Sequence, residues 1–272
     1  MKKISIVIFA VFVMTGMVTG QNLEVVEKSF RIENEPFKVD IDMEAGDFEI
    51  RKSDEPGILK MRVQYPPGRA TVDDNSLGNE LSLNIQYKNV WSDNSQIKTF
   101  IYIPEDKIID LKTWLKFGKL DFELGGLQLR NVEIGSNSGE AIIRFSEPNK
   151  IAMQLLSINC SVGEARLEKL GNARIQRATI NSGIGELSAD FSGSYKNDAK
   201  VRLDLDIGET LITLPDNLGV RMKVNRSSIL SSVNLSEDFE KQNENYYSRG
   251  YSNFEHNLNM IISTGIGELS IR

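Results

Sequence analysis

The sequence predicts an all-β, single-domain β-solenoid built from stacked strand-turn-strand repeats of roughly 22 residues. Three observations predict it. The first is a recurring phrase, Gly-Glu followed by apolar residues at alternate positions: Gly139-Glu140, Gly163-Glu164, Gly185-Glu186, Gly208-Glu209 and Gly267-Glu268. The first three steps between these glycines are 24, 22 and 23 residues. A strand-bearing repeat of that length marks units that bury their apolar side on stacked neighbours. The second is what precedes each glycine. Five residues before stand Ile134, Ile158, Ile180, Leu203 and Ile262, and seven before stand Val132, Leu156, Ala178, Val201 and Met260. Alternation with a period of two describes strands with one buried face. The third is the segment in between, rich in turn-forming residues such as Ser136-Asn137-Ser138, Asn181-Ser182-Gly183 and Ser263-Thr264-Gly265. Each unit therefore reads as strand, tight turn, strand.

In chain order, residues 1–20 read as a signal peptide. Lys2 and Lys3 precede an apolar run over 4–14 that is too short to span a bilayer, and Val18-Thr19-Gly20 supplies the cleavage site before Gln21. Residues 21–107 read as an N-terminal β portion continuous with the solenoid, with strand-like alternation at 30–32, 37–41, 59–65 and 81–87. Weaker copies of the phrase, Gly46-Asp47-Phe48-Glu49-Ile50 and Gly118-Lys119-Leu120-Asp121-Phe122, carry the repeat back towards Gln21. Residues 108–272 read as the repeat solenoid itself, and any seam falls near 104–112. The step from Gly208 to Gly267 is 59 residues, the length of two units plus an insertion placed at 236–257. The insertion holds a weak helix candidate at 237–247; no other segment carries a 3.6-residue apolar stripe.

Composition narrows the function. The chain has a formal net charge of −6, which disfavours nucleic acid as a partner. Cys160 is the only cysteine, so no intramolecular disulfide forms, and its place in the Ile158-x-Cys160 alternation gives a buried, inert thiol. No apolar run after the leader is long enough for a membrane-spanning helix.

The phrases Met43-Glu44-Ala45-Gly46-Asp47-Phe48-Glu49-Ile50, Phe117-Gly118-Lys119-Leu120-Asp121-Phe122-Glu123-Leu124 and Ile262-Ser263-Thr264-Gly265-Ile266-Gly267-Glu268-Leu269-Ser270-Ile271 together resemble the bacterial toast-rack domains of unknown function. They are similar to envelope-stress response proteins with a LiaF-like C-terminal domain and to adhesin-type families on the same solenoid. The resemblance covers nearly all of the chain after the leader, and it implies an envelope-facing β-solenoid without known enzymatic activity. LiaF-like proteins carry transmembrane helices and this sequence has none, which weighs against direct membrane signalling.

Candidate sites follow from the repeat and from its interruption. If the units stack in register, Glu140, Glu164, Glu186 and Glu209 line up about 4.8 Å apart, where carboxylates repel by roughly 1 kcal/mol per neighbour in water. A divalent cation would relieve that repulsion. The simpler reading is a solvated ladder offset by Arg144, Arg166 and Lys169. The insertion crowds Tyr246, Tyr247, Arg249, Tyr251, Phe254 and His256 together. Aromatic residues with arginine suit a protein or glycan contact, and they equally suit a cap over the end of a solenoid. One His and one Cys are too few for a metal centre, and His256 alone does not define a catalytic triad. A further reading, paired carboxylates for glycoside chemistry, draws on 38 acidic residues, most of which serve solubility. Trp114 reads as buried in the first rungs and Trp91 as exposed. The sequence thus describes a non-enzymatic, exported interaction or scaffold protein of the cell envelope, in the periplasm or at the cell surface, tied to envelope-stress sensing or adhesion. Its partner is an envelope protein or glycan, with no cofactor, no metal and no catalytic residues. The alternative is a carbohydrate-directed solenoid module that binds glycans rather than cleaving them.

Overall fold

The computed structural model describes residues 9–13, 16–18, 21–87, 97–226 and 230–272. Most of the expected leader and all of 88–96, which contains Trp91, lie outside these residues; 227–229 do as well. Strands in chain order are β1 (Phe9–Val13), β2 (Gly16–Val18), β3 (Gln21–Arg31), β4 (Phe37–Ser53), β5 (Ile58–Tyr65), β6 (Ala70–Leu77), β7 (Glu80–Tyr87), β8 (Lys98–Pro104) and β9 (Ile108–Glu123). They continue as β10 (Gln128–Arg144), β11 (Leu155–Glu168), β12 (Arg177–Asp190), β13 (Ala199–Thr213), β14 (Gly219–Arg226), β15 (Ser231–Leu235), β16 (Phe239–Gln242), β17 (Asn245–Ser248) and β18 (Asn257–Ile271). Two short 3-10 turns, Leu170–Ala173 and Tyr251–Asn253, complete the described elements.

The repeats form a parallel stack in which each long strand is one rung. From β9 through β13 the rungs follow chain order, and the register aligns phrase with phrase: Glu140 faces Glu164, Glu164 faces Glu186, Glu186 faces Glu209. The earlier copies belong to the same stack, with Gly46 opposite Gly118 and Gly118 opposite Gly139. Strands from the two sides of 104–112 are therefore direct neighbours, β4 on β9.

The tight turn predicted inside each unit is instead a corner in an unbroken strand. Between β10 and β11 the pairing runs from Asn131–Leu155 to Arg144–Glu168, through the glycines. Each glycine bends the rung into two arms without leaving the ladder. Gly118, Gly139, Gly163, Gly185, Gly208 and Gly267 hold φ between +126 and +144, and a Cβ on any of them would lie 1.7–2.1 Å from the carbonyl oxygen of the glycine one rung below. Only glycine fits both conditions. The real reversals lie on a third side, between rungs. There the buried Asn149 side chain donates to the Leu129 and Ile151 carbonyls at 2.8 Å and accepts from the Leu129 N–H at 2.9 Å. Asn172 repeats the device one rung later, donating to the Phe145 carbonyl at 2.8 Å.

The core runs lengthwise between the arms and this third side. Phe48, Phe122, Phe145 and Phe191 are fully buried along it, and Phe48 and Phe122 meet edge to face with centroids 4.8 Å apart. Ile134, Ile158, Ile180, Leu203 and Ile262 fill the positions their alternation predicted. Trp114 does not: Thr113 and Leu115 point inward, while the indole lies half-exposed on the outer face against Gly135, where an added Cβ would sit 2.0 Å from the ring.

Both ends of the stack are built by an excursion. After β4 the chain leaves to form β5 through β8 and returns as β9 on the other side of β4. The outer rung there is in two pieces, β7 against Lys38–Met43 and β8 against Asp47–Ser53, with antiparallel β6, β5 and β3 beyond it. β1 and β2 pair antiparallel with β3. After β13 the chain builds β14 through β17 and returns as β18, inserted between β13 and the two-piece outer rung of β14 and β15. The 59-residue step thus holds two units, as its length predicts, but space reverses their order. The weak helix candidate at 237–247 is an antiparallel hairpin, β16 on β17.

Candidate functional surfaces

Register turns sequence columns into surface ridges. One ridge is acidic: Glu140, Glu164, Glu186, Glu209 and Glu268 stand side by side, each following its corner glycine. Lys119, one rung before, pairs with Glu140 at 3.0 Å. At the other end the Asn234 amide donates to Glu268 at 2.7 Å. Glu164, Glu186 and Glu209 have no ion pair among the described residues. The expected offset by Arg144, Arg166 and Lys169 is absent: Arg144 pairs with Asp121 at 2.5 Å instead, and Arg166 only lines the same shallow groove of about 340 Å³. The residue before each glycine makes a second ridge parallel to the first. Phe117, Val162, Ile184, Ile207 and Ile266 occupy it, each 45–54% exposed, interrupted by Ser138. Aligned exposure of large apolar side chains is uncommon on a solvated surface. Alternation from the buried positions five and seven before each glycine would turn these residues inward, and the sequence gives no sign that they face water.

The insertion residues sit at the end of the stack. β17 pairs antiparallel with β14 through Arg221–Tyr247 and Met222–Tyr246. Tyr246 packs partly against the core, and Tyr247 meets Tyr251 edge to face at 5.2 Å. Arg249 reaches the Glu237 carbonyl at 3.3 Å and the Asp238 carboxylate at 3.7 Å. Phe254 and His256 are half-buried beyond the 3-10 turn. The hairpin covers β14, one of the two pieces of the outer rung, and Tyr247 keeps a partly exposed face.

A third surface was not apparent in the sequence. On the arm before the corner, β12, β13, β18 and β14 line a cleft of about 350 Å³ with Arg177, Lys200, Arg202, Arg221 and Lys223. In register they form two rows: Arg177, Lys200, Asn259, Arg221, and beside it Thr179, Arg202, Ile261, Lys223. Arg202 is held by Asp204 at 2.7 Å, and that guanidinium keeps the Asp204 carboxyl below the usual carboxylate range. Lys223 pairs with Glu244 at 2.6 Å and lowers the Glu244 carboxyl in the same way. Arg221 donates to the Asn245 side chain at 3.3 Å. Arg177 and Lys200 are exposed and have no ion pair among the described residues.

A family model, Toastrack DUF4097, matches residues 37–265. The chain belongs to the Toastrack DUF4097 family. No protein with a curated description matches it. Among solved structures it is similar to a candidate cell adhesion protein from Clostridium sporogenes, at 18% identity and TM-score 0.44 over 90% of this chain and 97% of that one. It is similar to a candidate adhesin from Bacteroides fragilis at 11% identity and TM-score 0.43, covering 91% and 97%. A candidate lipid binding protein from Parabacteroides distasonis follows at 12% identity and TM-score 0.36, covering 93% and 98%.

Among the described residues no group of three or more His, Cys, Asp and Glu is placed to hold a metal ion, and no helix is long and apolar enough to cross a membrane. Cys160 lies partly buried against the core, where burial pushes its thiol up to about 11.

Proposed function

We propose that this Toastrack chain is an exported, non-enzymatic interaction or scaffold protein of the cell envelope, with a role in adhesion or envelope-stress sensing. The paired ridges at the glycine corner carry this reading: an acidic row and an exposed apolar row run side by side across successive rungs. Together they suit a protein partner with an apolar strip flanked by Lys or Arg, because burying the apolar row supplies affinity and the glutamates select by charge. The parallel ladder holds both rows rigid, so binding loses little conformational entropy. Export rests on the leader pattern in residues 1–20.

The test is a photo-crosslinking residue at position 184, in cells, with capture of whatever attaches. The expected result is one recurrent envelope protein whose capture is lost in Ile184→Asp and Ile207→Asp, variants that leave the melting temperature unchanged because both side chains are exposed. Labelling as diffuse as that from a residue placed at position 73 on β6 would remove the ridge as an interface. A second reading, a carbohydrate-directed module, is favoured by the basic cleft, which lies next to Tyr247.

A further inference from the structure

We propose that the cleft over β12, β13, β18 and β14 is a binding site for an acidic polysaccharide, one bearing carboxylate or phosphate groups along its chain. This rests on the carbohydrate-directed reading and gives it a site and a ligand class. Charge is the first argument. The chain as a whole carries −6, yet five cations gather on one arm, and Arg177 and Lys200 among them have no ion pair within the described residues. Like charges so close cost free energy, and an anion in the cleft reverses the sign of that term.

Shape is the second argument. The cations form rows rather than a point. Arg177 to Arg221 spans three rung steps of about 4.8 Å, so a linear chain of anionic units laid across the rungs meets a cation at most steps. Arginine adds planar, bidentate recognition of carboxylate or phosphate. The third argument is what stands among the charges. Asn259, Asn245 and Thr179 offer amide and hydroxyl groups to sugar hydroxyls, and Ile261, 46% exposed, gives an apolar footing. By register the first row continues from Arg221 onto Tyr247, and cross-strand partners share a face. The row of cations thus ends on a partly exposed aromatic ring braced by Tyr251, a flat amphipathic surface that suits a sugar ring. A phospholipid headgroup would use the cations but not a row that ends on a tyrosine.

Affinity electrophoresis of the full chain tests this, with polygalacturonate, neutral dextran and anionic phosphatidylglycerol vesicles as separate probes. The expected result is retardation by polygalacturonate alone, weakened at least tenfold in Arg177→Glu/Lys200→Glu, and weakened by salt as screening shortens to about 3 Å at 1 M. Arg166→Glu, on the other arm, should bind as the parent does. Both cleft side chains are exposed, so an unchanged melting temperature separates lost binding from lost folding. Equal retardation by dextran would overturn the acidic ligand while leaving the carbohydrate reading in place. Binding to the vesicles only, or to none of the probes, would overturn the proposal. The ridge interface at Ile184 would stand or fall separately on its own crosslinking.

Discussion

At Gly163 the backbone holds φ +126 and an added Cβ would meet the Gly139 carbonyl oxygen at 2.0 Å. Gly68 also has positive φ, +68, with nothing within 4 Å of the added atom. Gly163→Ala combines strain with a backbone clash that the ladder cannot relax without moving a rung, and should cost about 3 kcal/mol or more; Gly68→Ala meets only the left-handed penalty of about 1–2 kcal/mol. Denaturant unfolding of the two variants checks the difference, and equal losses would show that the corner gives way easily. Cys160 makes a second prediction. Burial raises its thiol from an ordinary 9.0 to about 11, so the unfolded chain releases this proton first. The stability it contributes is complete below about 9 and declines as pH rises towards 11. In Cys160→Ala the fall in melting temperature across that window should be smaller, and the native parent should resist alkylation at neutral pH. The glycines and the thiol could be read from the phrase itself, because spacing fixes the column and alternation fixes the side. The conformation at the glycine could not, because a turn and a corner use the same small polar residues. Trp114 was misplaced because its neighbours Thr113 and Leu115 set the inward phase, and a tryptophan facing outward over Gly135 gives no sign of it in the alternation.

A rung is the unit of stability, and its two faces respond to charge in opposite ways. Ile180 is 1% exposed between the Ile158 and Leu203 rungs. Ile180→Asp buries a carboxylate with no partner, which costs several kcal/mol, and in a stack of nearest-neighbour interfaces the loss spreads to the rungs on both sides. Hydrogen exchange should show β11, β12 and β13 losing protection together while β5–β8 hold. Glu186, on the outer side of the same strand, stands between Glu164 and Glu209. Glu186→Gln removes two repulsions across solvent and should stabilise by under about 1 kcal/mol, a gain that shrinks as salt is added. A gain of several kcal/mol would mean the ladder is held under strain for a cation. Rung composition was legible because each rung is contiguous in sequence. The basic cleft was not: its cations lie on three strands, and the strand that spaces β13 from β14 is β18, which comes later in the chain. That strand also sets Asn259 and Ile261 between the cations of β13 and β14. A stack in chain order would have pressed Lys200 and Arg202 directly against the β14 pair.

Over the whole molecule, a stack of parallel rungs has two open edges, and an uncovered edge pairs with any passing strand. This chain closes each end by leaving the stack, building an outer rung and reversing direction. At the C-terminal end the cover is the β16–β17 hairpin: Val220 donates its N–H to the Ser248 hydroxyl at 2.9 Å, and Glu244 holds Lys223. The new outermost strand, β16, is four residues long and carries Glu240 and Lys241, short and charged as a blunted edge should be. Replacing 237–248 with a short Gly-Ser linker removes this cover, together with the partly buried Phe239 and Tyr246, and leaves the corner glycines and the fully buried core in place. Stability is summed over neighbouring rungs, so the melting temperature of β9–β13 should shift little. Solution behaviour should change: light scattering is expected to show dimers and larger species growing with concentration, as β14 of one molecule pairs with β14 of another. Adding residues 237–248 back should restore a monodisperse solution by covering that edge. If the shortened chain stays monomeric without them, the hairpin is not a cap, and its tyrosines are left with binding as their role.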